Sequence, residues 1–246
     1  SLSLENSEIL MDRLEKLLED PKQEMALKRK AARLLEHRAT QKGSDRLLEI
    51  LSKSQEHALR FLLIRSLLRI RDRNPGIRWN RPLIKGEIFR EAELYREIRK
   101  MNYFYQRSSG KKEEFLDVAL TAISEETLER LFRCLGLIYP GEGIRIIYER
   151  LLEHPAADPI RSHAIELLQN LLGPEFSGMV HDLFDERSLQ EASDEEIAPI
   201  LEIMIVSPDR WLSLIAHFLI TELELGNRWP RLGSLVSTRS FEPLDV

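Results

Sequence analysis

The stretch from Leu128 to Gly173, LERLFRCLGLIYPGEGIRIIYERLLEHPAADPIRSHAIELLQNLLG, constrains the fold most. It alternates apolar runs of helical period with strong breakers. Leu128, Leu131, Phe132, Leu135 and Ile138 recur at spacings of three and four, which lines one helical face. Pro140, Gly141 and Gly143 interrupt the chain. Ile144, Ile147, Tyr148, Leu151 and Leu152 then make a second face. Asp158 is placed as an N-cap with Pro159 in the first helical position, where its missing N–H costs nothing. Ile160, Ala164, Leu168 and Leu172 continue at helical spacing until Gly173 and Pro174 stop the run.

The last of these helices opens with a pattern of an apolar residue, a basic one, a small one three residues on, and Leu three further. Here it is Ile160-Arg161, Ala164, Leu167. Leu27-Lys28, Ala31, Leu34 repeats it, and Leu59-Arg60, Leu63, Ser66 is a looser copy. Lys28 and Arg60 lie 32 residues apart, within the range of helix-pair repeats. The small residue lets a neighbouring helix approach, and the basic residue can reach an acidic cap or turn of the adjacent repeat. No run alternates with period two. The fold expected is therefore all-α, an α-α superhelix of helix pairs without a sheet, over residues 1–225, with 226–246 as a partly ordered tail.

In chain order the pattern predicts helices at 6–19 and 21–39, with Pro21 starting the second. Further helices are predicted at 44–53 and 55–71, and a long one at 83–107. The last carries a core stripe of Ile84, Ile88, Ala92, Tyr95, Ile98, Met101 and Tyr105, with Tyr103 off it. Another helix is expected from about 112, and Ser124-Glu125-Glu126 reads as a cap into the Leu128 helix. Phe176 to Phe184 reads as a short helix and ERSLQEASDEE as a turn. A final pair is expected at 195–206 and 208–224, the second opened by Ser207-Pro208.

Charge is unevenly distributed. Residues 1–59 carry 11 basic and 11 acidic residues, 60–112 carry 15 and 5, and 113–246 carry 10 and 25, within an overall net charge of −5. Two readings are open. The halves can neutralise each other internally, or the basic middle can face an anionic partner such as acidic lipid, nucleic acid or an acidic protein. Arg78, Arg81, Arg96, Arg99, Lys100 and Arg107 are the candidates for that surface.

No residue set reads as catalytic, and no metal or other cofactor is implied. His181 with Asp185, and His163 with Glu166, have ligand-like spacing but lack the further ligands that zinc needs. Cys134 is the one cysteine, so no intrachain disulfide can form, and a reducing, cytoplasmic compartment is expected. Arg130 and Arg133 are near Cys134 in sequence, yet it sits on an apolar helix rather than in the exposed, electropositive setting of a reactive thiol. Pro140-Gly141 and Gly143 lack the following Lys-Ser/Thr of a phosphate loop. No stretch reaches the ~18–20 apolar residues of a membrane span. The chain begins without Met, as an internal segment of a longer protein would.

ERLFRCLGLIYPGEGIRIIYERL followed by DPIRSHAIELLQNLLGPE resembles HEAT-type repeats. More narrowly, it resembles the soluble HEAT-like segment that follows the membrane part of bacterial ATP/ADP-translocase-like, major-facilitator-type proteins. The matching residues are Leu131-Phe132, Leu135 to Pro140, Arg161 and Ala164 to Leu172, with Gln169 where that pattern favours Asp. The resemblance spans residues 8–190 and leaves 194–246 without a counterpart. It implies a non-catalytic scaffold or regulatory domain, cytoplasmic and membrane-associated through the rest of a transporter-like chain. Its partner would be a protein, including that membrane part, with anionic lipid against segment 60–112. The alternative is a nucleic-acid-binding protein similar to HEAT-like DNA alkylation-repair glycosylases, using Arg78, Trp79, Arg81, Arg99 and Tyr103. A third comparison, with HEAT-like bilin lyases, finds no supporting acid or Tyr set.

Overall fold

The computed structural model describes residues 2–37, 40–108, 113–190 and 193–238. Among these every regular element is helical and none is a strand. In chain order they are α1 (Leu2–Glu19), α2 (Met25–His37), α3 (Gln41–Lys53), α4 (His57–Arg73), α5 (Arg81–Arg107), α6 (Glu114–Ile138) and α7 (Gly143–Glu153). There follow α8 (Pro159–Leu172), α9 (Pro174–Phe184), α10 (Glu186–Gln190), α11 (Asp194–Ile205), α12 (Arg210–Glu222), α13 (Leu225–Arg228) and α14 (Pro230–Thr238). None of them is long and apolar enough to cross a membrane.

The chain divides into two compact units. The first comprises residues 1–91 and 129–177, the second 92–128 and 178–246, so the division falls inside α5, α6 and α9.

In the first unit α1 packs on α2 and α3, α2 on α4, and α3 on α4. Two consecutive helix pairs thus meet first helix to first helix and second to second. Arg69 of α4 reaches Glu36 of α2 at 2.9 Å, and Lys28 of α2 reaches Glu56, the residue before α4, at 2.9 Å. Thr40 caps α3 by accepting from the Gly43 N–H. α7 and α8 form another pair through Ile144, Ile147 and Leu151 against Ala164, Leu168 and Leu172. Asp158 caps α8, its carboxylate accepting the Ile160 N–H at 2.8 Å, with Pro159 in the first turn as the sequence requires. Gly173 ends the helix at φ 72°, a left-handed backbone that an L side chain resists. The Tyr139 hydroxyl donates to the Leu172 carbonyl at 3.0 Å, tying the end of α6 to the end of α8.

The second unit buries Ile98, Met101 and Phe104 of α5 and Leu116 and Leu120 of α6 with apolar residues of α11, α12 and α14. Ser193 precedes α11, and its N–H donates to the Glu196 carboxylate at 2.9 Å, the return half of a capping box.

The predicted stripe on α5 is buried at all seven positions, and Tyr103 is half-exposed. Several boundaries differ from expectation, four of them for a visible physical reason. Pro21 does not start α2: Asp20 accepts the Lys22 N–H at 2.9 Å and turns the chain, and α2 starts at Met25. Ser124 does not cap a new helix, because Leu116, Leu120, Ile123, Thr127 and Leu131 keep one buried register through α6. The Thr127 hydroxyl donates to the Ile123 carbonyl inside that helix. Ser207-Pro208 does not open α12; Asp209 does, accepting the Trp211 and Leu212 N–H groups at 3.1 Å. In ERSLQEASDEE, Glu186–Gln190 is a helical turn.

In the segment expected as a tail, α13 and α14 pack together, with Gly226 and Gly233 so close that a Cβ on Gly226 would lie 3.0 Å from the Gly233 Cα. Leu232 is fully buried and Trp229 lies 6.4 Å from Phe104. Residues 239–246 lie outside the described residues, as do Lys111 and Lys112 of the basic segment. Leu232→Ala is expected to destabilise the protein by about 2–5 kcal/mol, the cost of truncating a closed core leucine. Denaturant unfolding of the variant checks this, and an unchanged midpoint would contradict the packing of α14.

Candidate functional site

Helical period places Glu87 and Glu91 on the same inward face of α5 as Ile84, Ile88 and Tyr95. Carboxylates there need cations. Arg60 of α4 supplies one, its Nε and Nη2 reaching Glu91 at 2.8 and 2.6 Å and its Nη2 reaching Glu87 at 2.7 Å. Its Nη1 donates to the carbonyls of Leu51 and Ser54, at the end of α3, at 3.1 and 3.2 Å. Arg130 of α6 donates to the other oxygen of Glu91 at 2.9 Å. All four side chains are buried. Burial alone would push the Glu91 carboxyl up, but the charges of Arg130 and Arg60 overcome this and hold it below the usual range. Burial would also lower Arg60; Glu91 and Glu87 reverse that. Cys134 lies beside this quartet, and burial, then the Glu91 charge, pushes its thiol far up. That setting stabilises the thiol rather than a nucleophilic thiolate.

The six candidate basic residues have different fates. In the first unit, Arg78 and Arg81 are exposed. In the second, Arg96 pairs with Glu93 at 2.5 Å, Arg99 with Glu186 at 2.7 Å and with the Leu183 carbonyl at 3.0 Å, and Lys100 with Glu196 at 2.7 Å. The bonds from Lys100 and the Ser193 N–H hold the Glu196 carboxyl below its ordinary range. Arg107 lies 5.7 Å from the ring centres of Tyr103 and Phe104. Of the nucleic-acid candidates, Arg99 is thus engaged and Tyr103 underlies Arg107, while Arg78 and Trp79 stay on the connection before α5 and Arg81 is its first residue.

Much of the remaining basic segment is also used inside its unit. Arg71 reaches the Gly136 carbonyl, Lys85 pairs with Glu175, and Arg90 donates to the Ser52 carbonyl at 3.2 Å. Arg65 lies over the Phe61 ring at 5.5 Å, with Arg133 at the same distance. Arg73, Arg78 and Arg81 are exposed and form no ion pair among the described residues. His163 and Glu166 are exposed and 3.7 Å apart. No group of three or more metal-ligating side chains gathers among the described residues.

A third feature is apolar. On α8, Ile160, Leu167 and Leu171 are nearly half exposed, while Ala164, Leu168 and Leu172 face α7. On α2, Leu27 and Leu34 are exposed in the same two pattern positions. The equivalent residues on α4, Leu59 and Ser66, are buried.

The sequence reading missed the quartet. Its signal was present as two carboxylates four residues apart in register with the Ile84–Tyr95 stripe. No family model, curated protein or solved structure matches the chain.

Glu91→Gln leaves two arginines buried with one carboxylate, a loss of about 3–5 kcal/mol at neutral pH. Folding lowers the Glu91 pKa, so the carboxylate's contribution is complete above the ordinary Glu range and is lost as pH falls through the folded value. The stability gap between wild type and Glu91→Gln should therefore be widest at neutral pH and close in acid. Urea unfolding across pH measures it; a pH-independent gap would contradict the assignment.

Proposed function

We propose that this chain is a non-catalytic interaction scaffold of the HEAT-like kind, working through the outer faces of its second-position helices. One observation carries the reading: pattern positions buried on α4 are exposed on α2 and α8. On α4 such positions are covered by packing within the stack. On α8 the apolar arc runs beyond what α7 covers, and Ile160, Leu167 and Leu171 share the uncovered side. Exposed apolar residues gathered on one helix face mark contact surfaces more often than scattered ones do.

Further support comes from the shared position of the basic residue. Arg60 and Arg161 both donate to carbonyls closing the preceding helix, Leu51 and Ser54 in one case, Leu151 and His154 in the other. That recurrence fits repeated helix pairs, and the stacking of α1 to α4 fits it too. By the resemblance described above, the partner in this reading is a membrane protein of the transporter type. The nucleic-acid alternative draws less support, since Arg99 is engaged with Glu186 and Leu183.

The test is site-specific photo-crosslinking in cells that make the protein. A photoreactive residue at Leu167 should give a discrete product above the chain's own mass, and Leu171→Glu should abolish it. The same probe at Glu49, exposed on α3, should give none. No product at Leu167, or equal products at both sites, would sink the scaffold reading at this face.

A further inference from the structure

We propose that the connection between α4 and α5, with the helix ends that flank it, docks on an anionic lipid bilayer, with Arg73, Arg78 and Arg81 meeting headgroup phosphates and Trp79 entering the interfacial layer. The proposal is independent of the scaffold reading and concerns a different surface of the first unit.

Four observations lead to it. First, these three arginines are exposed and form neither an ion pair nor a ring contact among the described residues. Second, the sequence holds no carboxylate between Asp72 and Glu87, so the connection carries no acidic residue of its own to neutralise them. Third, the connection is held in place. Ile77 is buried, and the Gln41 side-chain amide grips the Arg78 backbone from both sides, accepting its N–H at 2.8 Å and donating to its carbonyl at 2.7 Å. Asn80 accepts the Leu83 N–H at 3.2 Å and starts α5. Beside buried Ile77, Arg78 is exposed. The arginines are thus presented by an ordered backbone, which lowers the entropy lost on contact. Fourth, Trp79 is half-exposed and its indole N–H has no partner among the described residues. An amphipathic ring of that kind sits well at headgroup depth.

The exposure of the whole stretch and the small number of arginines favour a bilayer over nucleic acid. Pro75, Gly76, Arg78, Asn80, Arg81 and Pro82 are all exposed, so the segment can meet a flat surface. A duplex binder that makes about 6–10 phosphate contacts needs more cations than these three arginines supply. The chain as a whole carries −5, so an anionic surface repels most of it. Docking through this patch is therefore orientation-specific and sensitive to salt.

The test is flotation of the full chain with phosphatidylcholine vesicles, with and without phosphatidylserine, at low and high salt. Retention is expected only with phosphatidylserine at low salt. Arg78→Gln with Arg81→Gln should weaken partitioning about 25-fold, about five-fold per arginine. Arg96→Gln, whose arginine is already paired with Glu93, should leave it unchanged. Vesicles should shift tryptophan emission to the blue in wild type and much less in Trp79→Phe. Circular dichroism confirms that these exposed changes leave the helices intact. Equal retention on neutral vesicles, no retention at low salt, or indifference to the Arg78/Arg81 pair would each overturn the proposal. Binding of a duplex oligonucleotide, without vesicle binding, would reassign the patch to nucleic acid.

Discussion

Arg60 spends its guanidinium on five hydrogen bonds, three to Glu87 and Glu91 and two to the carbonyls of Leu51 and Ser54. With Arg130 on Glu91, one buried cluster joins the end of α3, the first turn of α4, the first half of α5 and the second half of α6. Taking four charges out of water costs several kcal/mol per ion, and only close pairing offsets it. The cluster therefore adds little net stability over a well-packed apolar core, but it is intolerant of error. Sliding α5 by one turn, about 5.4 Å, puts one glutamate in the other's place and carries the second carboxylate away from Arg60. Leucine contacts alone would not penalise that slip so steeply. The packing of α4, α5 and α6 in the first unit depends on this constraint.

The fold's helical character was legible because it rests on local physics. The Asp158-Pro159 start, the Gly173 stop and the α5 stripe are each set by a few adjacent residues. What escaped the sequence reading was set by partners distant in the chain. Ser124 looks like a cap only if the helix must end there, and the apolar register running through it decides otherwise. The stretch after Leu223 has little periodicity of its own, yet Leu232 and Trp229 find a core built from α5, α6, α11 and α12. Glu87 and Glu91 were visible as charges in an apolar stripe, but Arg60 and Arg130 are 27 to 39 residues away.

The charge map shows the same limit in another form. A net charge of +10 over residues 60–112 counts side chains, not the carboxylates they meet. Arg69 meets Glu36, Lys85 meets Glu175, Arg99 meets Glu186 and Lys100 meets Glu196. These pairs support the internal-neutralisation reading for part of the segment. They also sharpen the other one, because Arg73, Arg78 and Arg81, which form no ion pair among the described residues, lie on and beside one connection.

The recurring sequence pattern combines structural positions with adaptable ones. The basic position is committed in all three copies: Lys28 to Glu56, Arg60 to its quartet and Arg161 to the closing carbonyls of α7. The position three residues later, Ala31, Leu63 or Ala164, is buried in every copy. The flanking apolar positions alone change environment, buried on α4 and exposed on α2 and α8. A substitution at the first two positions acts on folding, since it strands a buried charge or crowds a helix contact. A substitution at the flanks of α2 or α8 removes little buried area, about 1–1.5 kcal/mol for a half-exposed leucine. In the scaffold reading, those flanks are free to follow a partner while the interior holds the helices in place.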